Sequence, residues 1–163
     1  MRTLMLMRHA KSSHEDGSLS DHDRPLDQRG RMDANRMGRF LVDRNVVPQA
    51  FVSSTAVRAR DTMKLVMKSA NVRGDGDLQA ELYLAEIAHF VKVLGKLPVE
   101  YGRVMLVGHC PGIEEFLAHV TGAARHLPTG AIAHIELPIN AWKDFSNMTR
   151  GELLNLWLPK DIS

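Results

Sequence analysis

The sequence of 163 residues has a single cysteine, Cys110, so no intrachain disulfide can form and nothing calls for an oxidising compartment. Long apolar runs are missing too. None approaches the roughly 18 residues of a membrane span, and Met1–Met7 is too short for the apolar region of a signal peptide and meets Arg8 at once. There is no excess of one charge: 21 basic residues face 19 acidic ones, a formal net charge of +2, too balanced to argue for nucleic acid. No H-E-x-x-H and no paired cysteines occur, which removes common zinc-site spacings. No G-x-G-x-x-G follows the first apolar segment, which removes the dinucleotide fingerprint. Internal repeats, low-complexity tracts and an obvious linker are all lacking. The expectation is one domain over 1–163, cytoplasmic, with no metal or other cofactor and no membrane or nucleic-acid partner.

What is present is an alternation of short apolar runs and amphipathic segments. Thr3–Met7 reads as a buried strand, and Lys11–Asp23 as a polar loop. Asp27 is placed to cap a first helix whose inner face carries Ala34, Met37, Gly38 and Leu41. Gly30 in its first turn is a cost unless the backbone there comes close to something. Ala50–Ser53 is a second strand. A second helix follows, with Ala59, Met63, Val66, Met67 and Ala70 on one face, and Asn71–Asp77 breaks it. A third helix carries Ile87, Phe90, Val91, Leu94 and Leu97. Arg103–Val107 is an apolar strand of the kind covered on both faces. A fourth helix buries Ile113, Phe116, Leu117 and Val120, and strands at Ala131–Leu137 and Leu153–Leu158 complete the chain. Strands alternating with helices predict an α/β three-layer sandwich around a mostly parallel sheet, without a large cap domain.

Ligands of such sheets bind beyond the carboxyl ends of the strands. Here the first strand ends in Arg8 and His9, the helix after the second strand opens with Arg58, and the strand "RVMLVGH" ends in His109. A strand end that merely reaches solvent would explain any one of them. Together they suit one task. Arginine grips phosphate oxygens through a planar fork, and a neutral imidazole can take a phosphoryl group covalently. A second histidine can donate to the phosphoryl oxygens. "HC" at His109–Cys110 also invites a cysteine-phosphatase reading, but that chemistry needs an arginine six residues on, where Phe116 stands. His14 and His22 read as solvated loop residues, His89, His119 and His126 as surface or half-buried, and His134 as a structural histidine. Lys11, Ser12 and Ser13 read equally as anion contacts or as a solvated loop.

Four motifs carry a family resemblance. "LMRHAKSS", "SDHDRPLDQRG", "SSTAVRARDT" and "VGHCPGIEEFLAHVTG" are similar, in order, to motifs of the histidine phosphatase superfamily, in its SixA-like phosphohistidine phosphatase branch. The resemblance implies a phosphoglycerate-mutase-like fold and a phosphatase working through a phosphohistidine intermediate. It implies His9 as nucleophile, Arg8 and Arg58 as phosphoryl clamps, His109 as the group completing the pocket, and Arg24 as a further phosphate contact. Ala10 replaces the glycine of the wider superfamily, and Cys110 stands where the branch often has Asn. Glu81, in "LQAELY", is the available general acid, or else an ordinary carboxylate at a helix start. A phosphohistidine substrate relaxes the need for an acid, because imidazole leaves more readily than an alkoxide. The expected substrate is therefore a phosphohistidine-containing protein. The alternatives are a small phosphoester and, without catalysis, a phosphate- or phosphohistidine-binding module.

Two arginines can neutralise phosphoryl charge that Mg²⁺ handles elsewhere. Phosphatase activity is therefore expected to survive exhaustive chelation, and activity lost with EDTA and restored by a divalent ion would contradict this.

Overall fold

The computed structural model describes residues 1–162. Its sheet has six strands: β1 (Arg2–Arg8), β2 (Ala50–Ser53), β3 (Asp77–Leu78), β4 (Arg103–Gly108), β5 (Ile132–Leu137) and β6 (Glu152–Trp157), in the order β3-β2-β4-β1-β5-β6. β1 and β2 both lie parallel to β4, and β3 parallel to β2, whereas β5 runs antiparallel to β1 and to β6. Among the described strands β5 alone runs against the rest. Four helices cover the faces: α1 (Gln28–Asp43), α2 (Val57–Ser69), α3 (Ile87–Gly95) and α4 (Gly112–Thr121). Among the described residues, no helix is long and apolar enough to cross a membrane.

Leu4, Met5, Leu6 and Met7 are all fully buried, as a central strand covered on both faces must be. Side chains alternate across a strand, so this run divides between two layers. Met5 and Met7 join Met105, Met37, Met63 and Leu41 beneath α1 and α2. Leu4 and Leu6 join Leu106, Phe90, Phe116 and Trp142 on the side of α3 and α4. The chain thus leaves β1 for a helix on one face and leaves β4 for a helix on the other. β1 and β4 are neighbours in register, Met7 opposite Val107 and Arg8 opposite Gly108. Their carboxyl ends open onto the crevice where such sheets bind ligands.

Asp27 caps α1 as expected, its side chain accepting the Gly30 N–H at 2.8 Å. Gly30 also meets its expected close approach: a Cβ there would stand 2.0 Å from the Lys11 carbonyl oxygen. The structure departs from the sequence reading in several places. Ala70 caps the second helix from just beyond its end at Ser69, and His22 is half-buried against Thr55 at 2.9 Å rather than solvated. β3 lies at the end of the segment read as a break, two exposed residues that are a strand only because Val52 and Ser53 pair with them. Leu97, assigned to the third helix, lies beyond its end at Gly95 but still packs on the core.

Gly30→Ala sets a helix preference of about 1 kcal/mol in favour of alanine against a backbone clash. The clash is expected to win, with a net loss of roughly 1–3 kcal/mol in denaturant unfolding. Gly17→Ala, with nothing within 4 Å, is the neutral control. A stabilised Gly30→Ala would show that the Lys11 segment moves aside freely.

Candidate active site

Arg8 is the last residue of β1, and His9 follows it. Backbone bonds fix this point on both sides: the His9 N–H donates to Gly108 O at 3.0 Å, and the Gly130 N–H donates to both Arg8 O and His9 O at 3.1 Å. His9 is 7% exposed. Its Nδ1 lies 2.7 Å from the Ala10 carbonyl. A carbonyl only accepts, so Nδ1 carries the proton and the lone pair is left on Nε2. His109, one residue beyond β4, brings its ring centroid within 5.1 Å of that of His9. Its Nε2 is 2.8 Å from Ser54 Oγ. That oxygen also accepts the Ala56 N–H at 3.1 Å; where the hydroxyl donates its hydrogen to Nε2, the ring proton lies on Nδ1.

Arg58, in the first turn of α2, is 6% exposed. It donates to the Asp21 carbonyl at 2.6 Å and to Asp21 Oδ2 at 2.9 Å. The Thr62 hydroxyl ties this turn to the segment after β1, donating to Arg58 O at 2.7 Å and accepting the Ala10 N–H at 3.0 Å. Arg8 donates to the Leu127 carbonyl at 3.0 Å. That loop is held in turn by Glu114 of α4, which accepts the Leu127 N–H and pairs with His126 Nδ1, each at 2.7 Å. Three buried nitrogens of these residues have no partner among the described residues: Arg8 Nε, Arg58 Nε and His109 Nδ1. Unpaired buried donors are costly, and an anion placed here would satisfy such donors. Arg2 and Arg103 Nε, toward the other end of the sheet, are likewise unpaired.

Burial pushes His9 down to about 4. The Ala10 carbonyl opposes that shift, and Arg58, Arg8 and Arg24 add to it by charge repulsion. Burial, with His9 and Arg58 nearby, pushes His109 down to about 3. Both rings are neutral at pH 7. The Asp21 carboxyl is held well below the usual carboxylate range by the Tyr83 hydroxyl, then by Arg58 and Arg24. Burial raises the Cys110 thiol to about 11, so it stays protonated and is no nucleophile.

The structure therefore brings Arg8, His9, Arg58 and His109 together. Arg24 stands one step outside, its guanidinium on Asp21 Oδ1 at 3.2 Å and on Ser12 Oγ at 2.9 Å. Glu81 sits in a short 3-10 turn, and its carboxylate is paired with Lys92 Nζ at 3.3 Å. The end of that turn instead supplies Tyr83, whose ring meets His109 edge-on at 5.4 Å. Asp21, Ser54, Tyr83 and Glu114 were not singled out in sequence. All four lie inside stretches quoted above, but no local pattern says which arginine, histidine or loop they touch.

In the unfolded chain both rings take a proton near pH 6.5. Their lowered folded values therefore make stability complete above that pH and let it fall as pH drops toward 4. In NMR titration neither His9 nor His109 is expected to protonate between pH 8 and 5. A midpoint near 6.5 for either would show a solvated ring.

The family model of the histidine phosphatase superfamily (branch 1) matches residues 4–91. An uncharacterized chloroplastic protein of Arabidopsis thaliana is 33% identical over 156 residues, covering 88% of this chain and 70% of that one. The solved structure of a candidate phosphohistidine phosphatase SixA from Nakamurella multipartitia is 28% identical with a TM-score of 0.81, covering 97% of this chain and 96% of its own. A second such candidate, from Agrobacterium tumefaciens, is 26% identical with a TM-score of 0.80, covering 97% and 98%. The phosphoglycerate-mutase-like sandwich is thus shared over nearly the whole chain. The match spans more than half of the sequence, including the strand that ends in Arg8 and His9 and the helix that opens with Arg58, and the chain belongs to the histidine phosphatase superfamily (branch 1).

Proposed function

We propose that this protein is a phosphatase that removes the phosphoryl group from phosphohistidine on a protein, through a phosphorylated His9. The observation that carries the reading is the pairing of two buried, neutral histidines 5.1 Å apart, beside Arg8 and Arg58. His9 Nε2 bears the lone pair and attacks phosphorus. The bond from phosphorus to the substrate imidazole breaks, and that imidazole leaves with its electron pair and takes a proton from water. Arg8, Arg58 and the Nδ1–H of His109 donate to the three phosphoryl oxygens as charge shifts onto them. Water then attacks phospho-His9, inorganic phosphate leaves, and His9 returns to its neutral form.

The phosphohistidine substrate is supported by what surrounds the pair. With Glu81 paired to Lys92, the reaction suits a leaving group that does not need a protein acid; an alkoxide does. The cleft beside His109, about 220 Å³, opens at the surface between Tyr83, Leu84, Ala85 and Pro111 among others, with Leu84 itself exposed, where a protein partner can reach it. The two solved relatives described as SixA candidates are named for phosphohistidine.

Rapid quenching with a phosphohistidine substrate is expected to trap a phosphoenzyme that is acid-labile and alkali-stable. His9→Ala is expected to form none while unfolding as the wild type does. An acid-stable adduct, or full turnover by His9→Ala, would overturn the assignment. Faster turnover of a sugar phosphate than of phosphohistidine would overturn the substrate class alone.

A further inference from the structure

A second cleft lies along the same rim of the sheet, on the other side of β1 from His109. It encloses about 350 Å³ between the end of β1, the loop entering β5, the start of α1 and the turn after β6. Its lining includes Lys11, Arg29, Asp33, Thr129, Pro159 and Lys160. Three cations thus face one carboxylate. That carboxylate is committed already: Asp33 is 4% exposed, with Arg29 Nε at 3.4 Å and Arg36 NH1 at 3.5 Å. Among the described residues, neither Lys11 nor Lys160 has a carboxylate oxygen within 4.0 Å.

The cleft is tied rigidly to the nucleophile. Lys11 is two residues beyond His9, and its carbonyl accepts the Asp27 N–H at 3.0 Å where α1 begins. Gly130 donates to the backbone of Arg8 and His9. Its φ of +79° and the approach of Pro159 Cγ, 2.8 Å from where a Cβ would stand, lock the turn after β6 against the same point. Leu127, just before the Pro128–Thr129 wall, holds Arg8. A cationic cleft at a fixed offset from the reacting histidine selects an anion at a fixed offset from the phosphoryl group.

We infer that this cleft is a docking site for acidic side chains of the substrate protein lying close to its phosphohistidine. The inference rests on the function proposed above and extends it to the chemistry of the partner. In the function proposed above the transferred phosphoryl group belongs to Arg8, Arg58 and the two histidines, none of which lines the cleft, so the cleft answers to a separate negative charge. Exposed charges of this kind act on encounter and its salt dependence more than on the chemical step. The cleft should therefore act through KM and leave kcat alone.

The test uses two synthetic peptides of equal length, each phosphorylated on one histidine. One carries glutamates flanking that histidine and the other glutamines, and free phosphohistidine is the small control. Wild-type protein is expected to favour the glutamate peptide by about tenfold in kcat/KM, through KM, with the preference fading as salt rises. Lys11→Glu/Lys160→Glu should lose that preference and favour a third peptide with flanking lysines, while hydrolysing free phosphohistidine as the wild type does. Equal turnover of the glutamate and glutamine peptides by wild type would overturn the docking site and leave the proposed function standing. An equal loss on free phosphohistidine in the variant would also overturn it, because the lysines would then serve the phosphoryl pocket itself. Failure of wild type on every phosphohistidine substrate, with an aryl phosphate still hydrolysed, would overturn the underlying function and the docking site with it.

Discussion

The parallel pairing of β1 with β4 is the constraint on which the site depends. Arg8 stands opposite Gly108, so the next residue on each strand, His9 and His109, emerges at the same height. The two chains then part, one to α1 on the methionine-rich face and the other to α4 on the face of Phe90 and Phe116. That divergence opens the crevice, and the closeness of the strands fills it with two imidazoles. Slipping the register by one residue would move one histidine along the sheet and turn its side chain to the opposite face. The apolar run Leu4–Met7, buried on both sides, makes such a slip costly.

Burial then sets the chemistry. An imidazole in water is partly protonated near neutrality, and a protonated ring has no lone pair to offer phosphorus. Here the low-dielectric surroundings and the nearby guanidinium groups disfavour the cation. Burial is the larger cause, and the arginines add to it by charge repulsion. Arg58 is itself restrained by Asp21, which also receives the Tyr83 hydroxyl and Arg24. Asp21 sits in the polar stretch before α1, so a loop from the start of the chain orients an arginine on α2. Arg8 is restrained from the opposite side by the Leu127 carbonyl, behind which stands Glu114. Each of the two arginines has its own backbone-anchored support, which lowers the cost of ordering its side chain.

The rim extends beyond the histidine pair in both directions. Toward β2 it is bounded by Tyr83 and the exposed Leu84. Toward β6 it becomes cationic at Lys11 and Lys160. The histidine pair is thus the middle of a longer surface.

Much of this was legible in the residues. Helical faces such as Met63, Val66 and Met67, and a nearly all-apolar strand such as Arg103–Val107, declare themselves through local spacing. Burial of a helix face or a strand follows directly from that spacing. Arg8, His9, Arg58 and His109 were visible because each closes or opens an element whose type could be read, and because their motifs resemble those of one family. Tertiary structure decided the rest. β3 exists only as a partner of β2. Glu81, equally an acid or a helix-start carboxylate in sequence, turned to Lys92, while Tyr83 two residues later met His109. Asp21 became the support of an arginine 37 residues away. The tautomers and protonation states of the two histidines depend on a neighbouring carbonyl, a distant serine and the exclusion of water. Those are properties of which segments pack together, and a periodicity of two or of 3.6 residues carries no information about them.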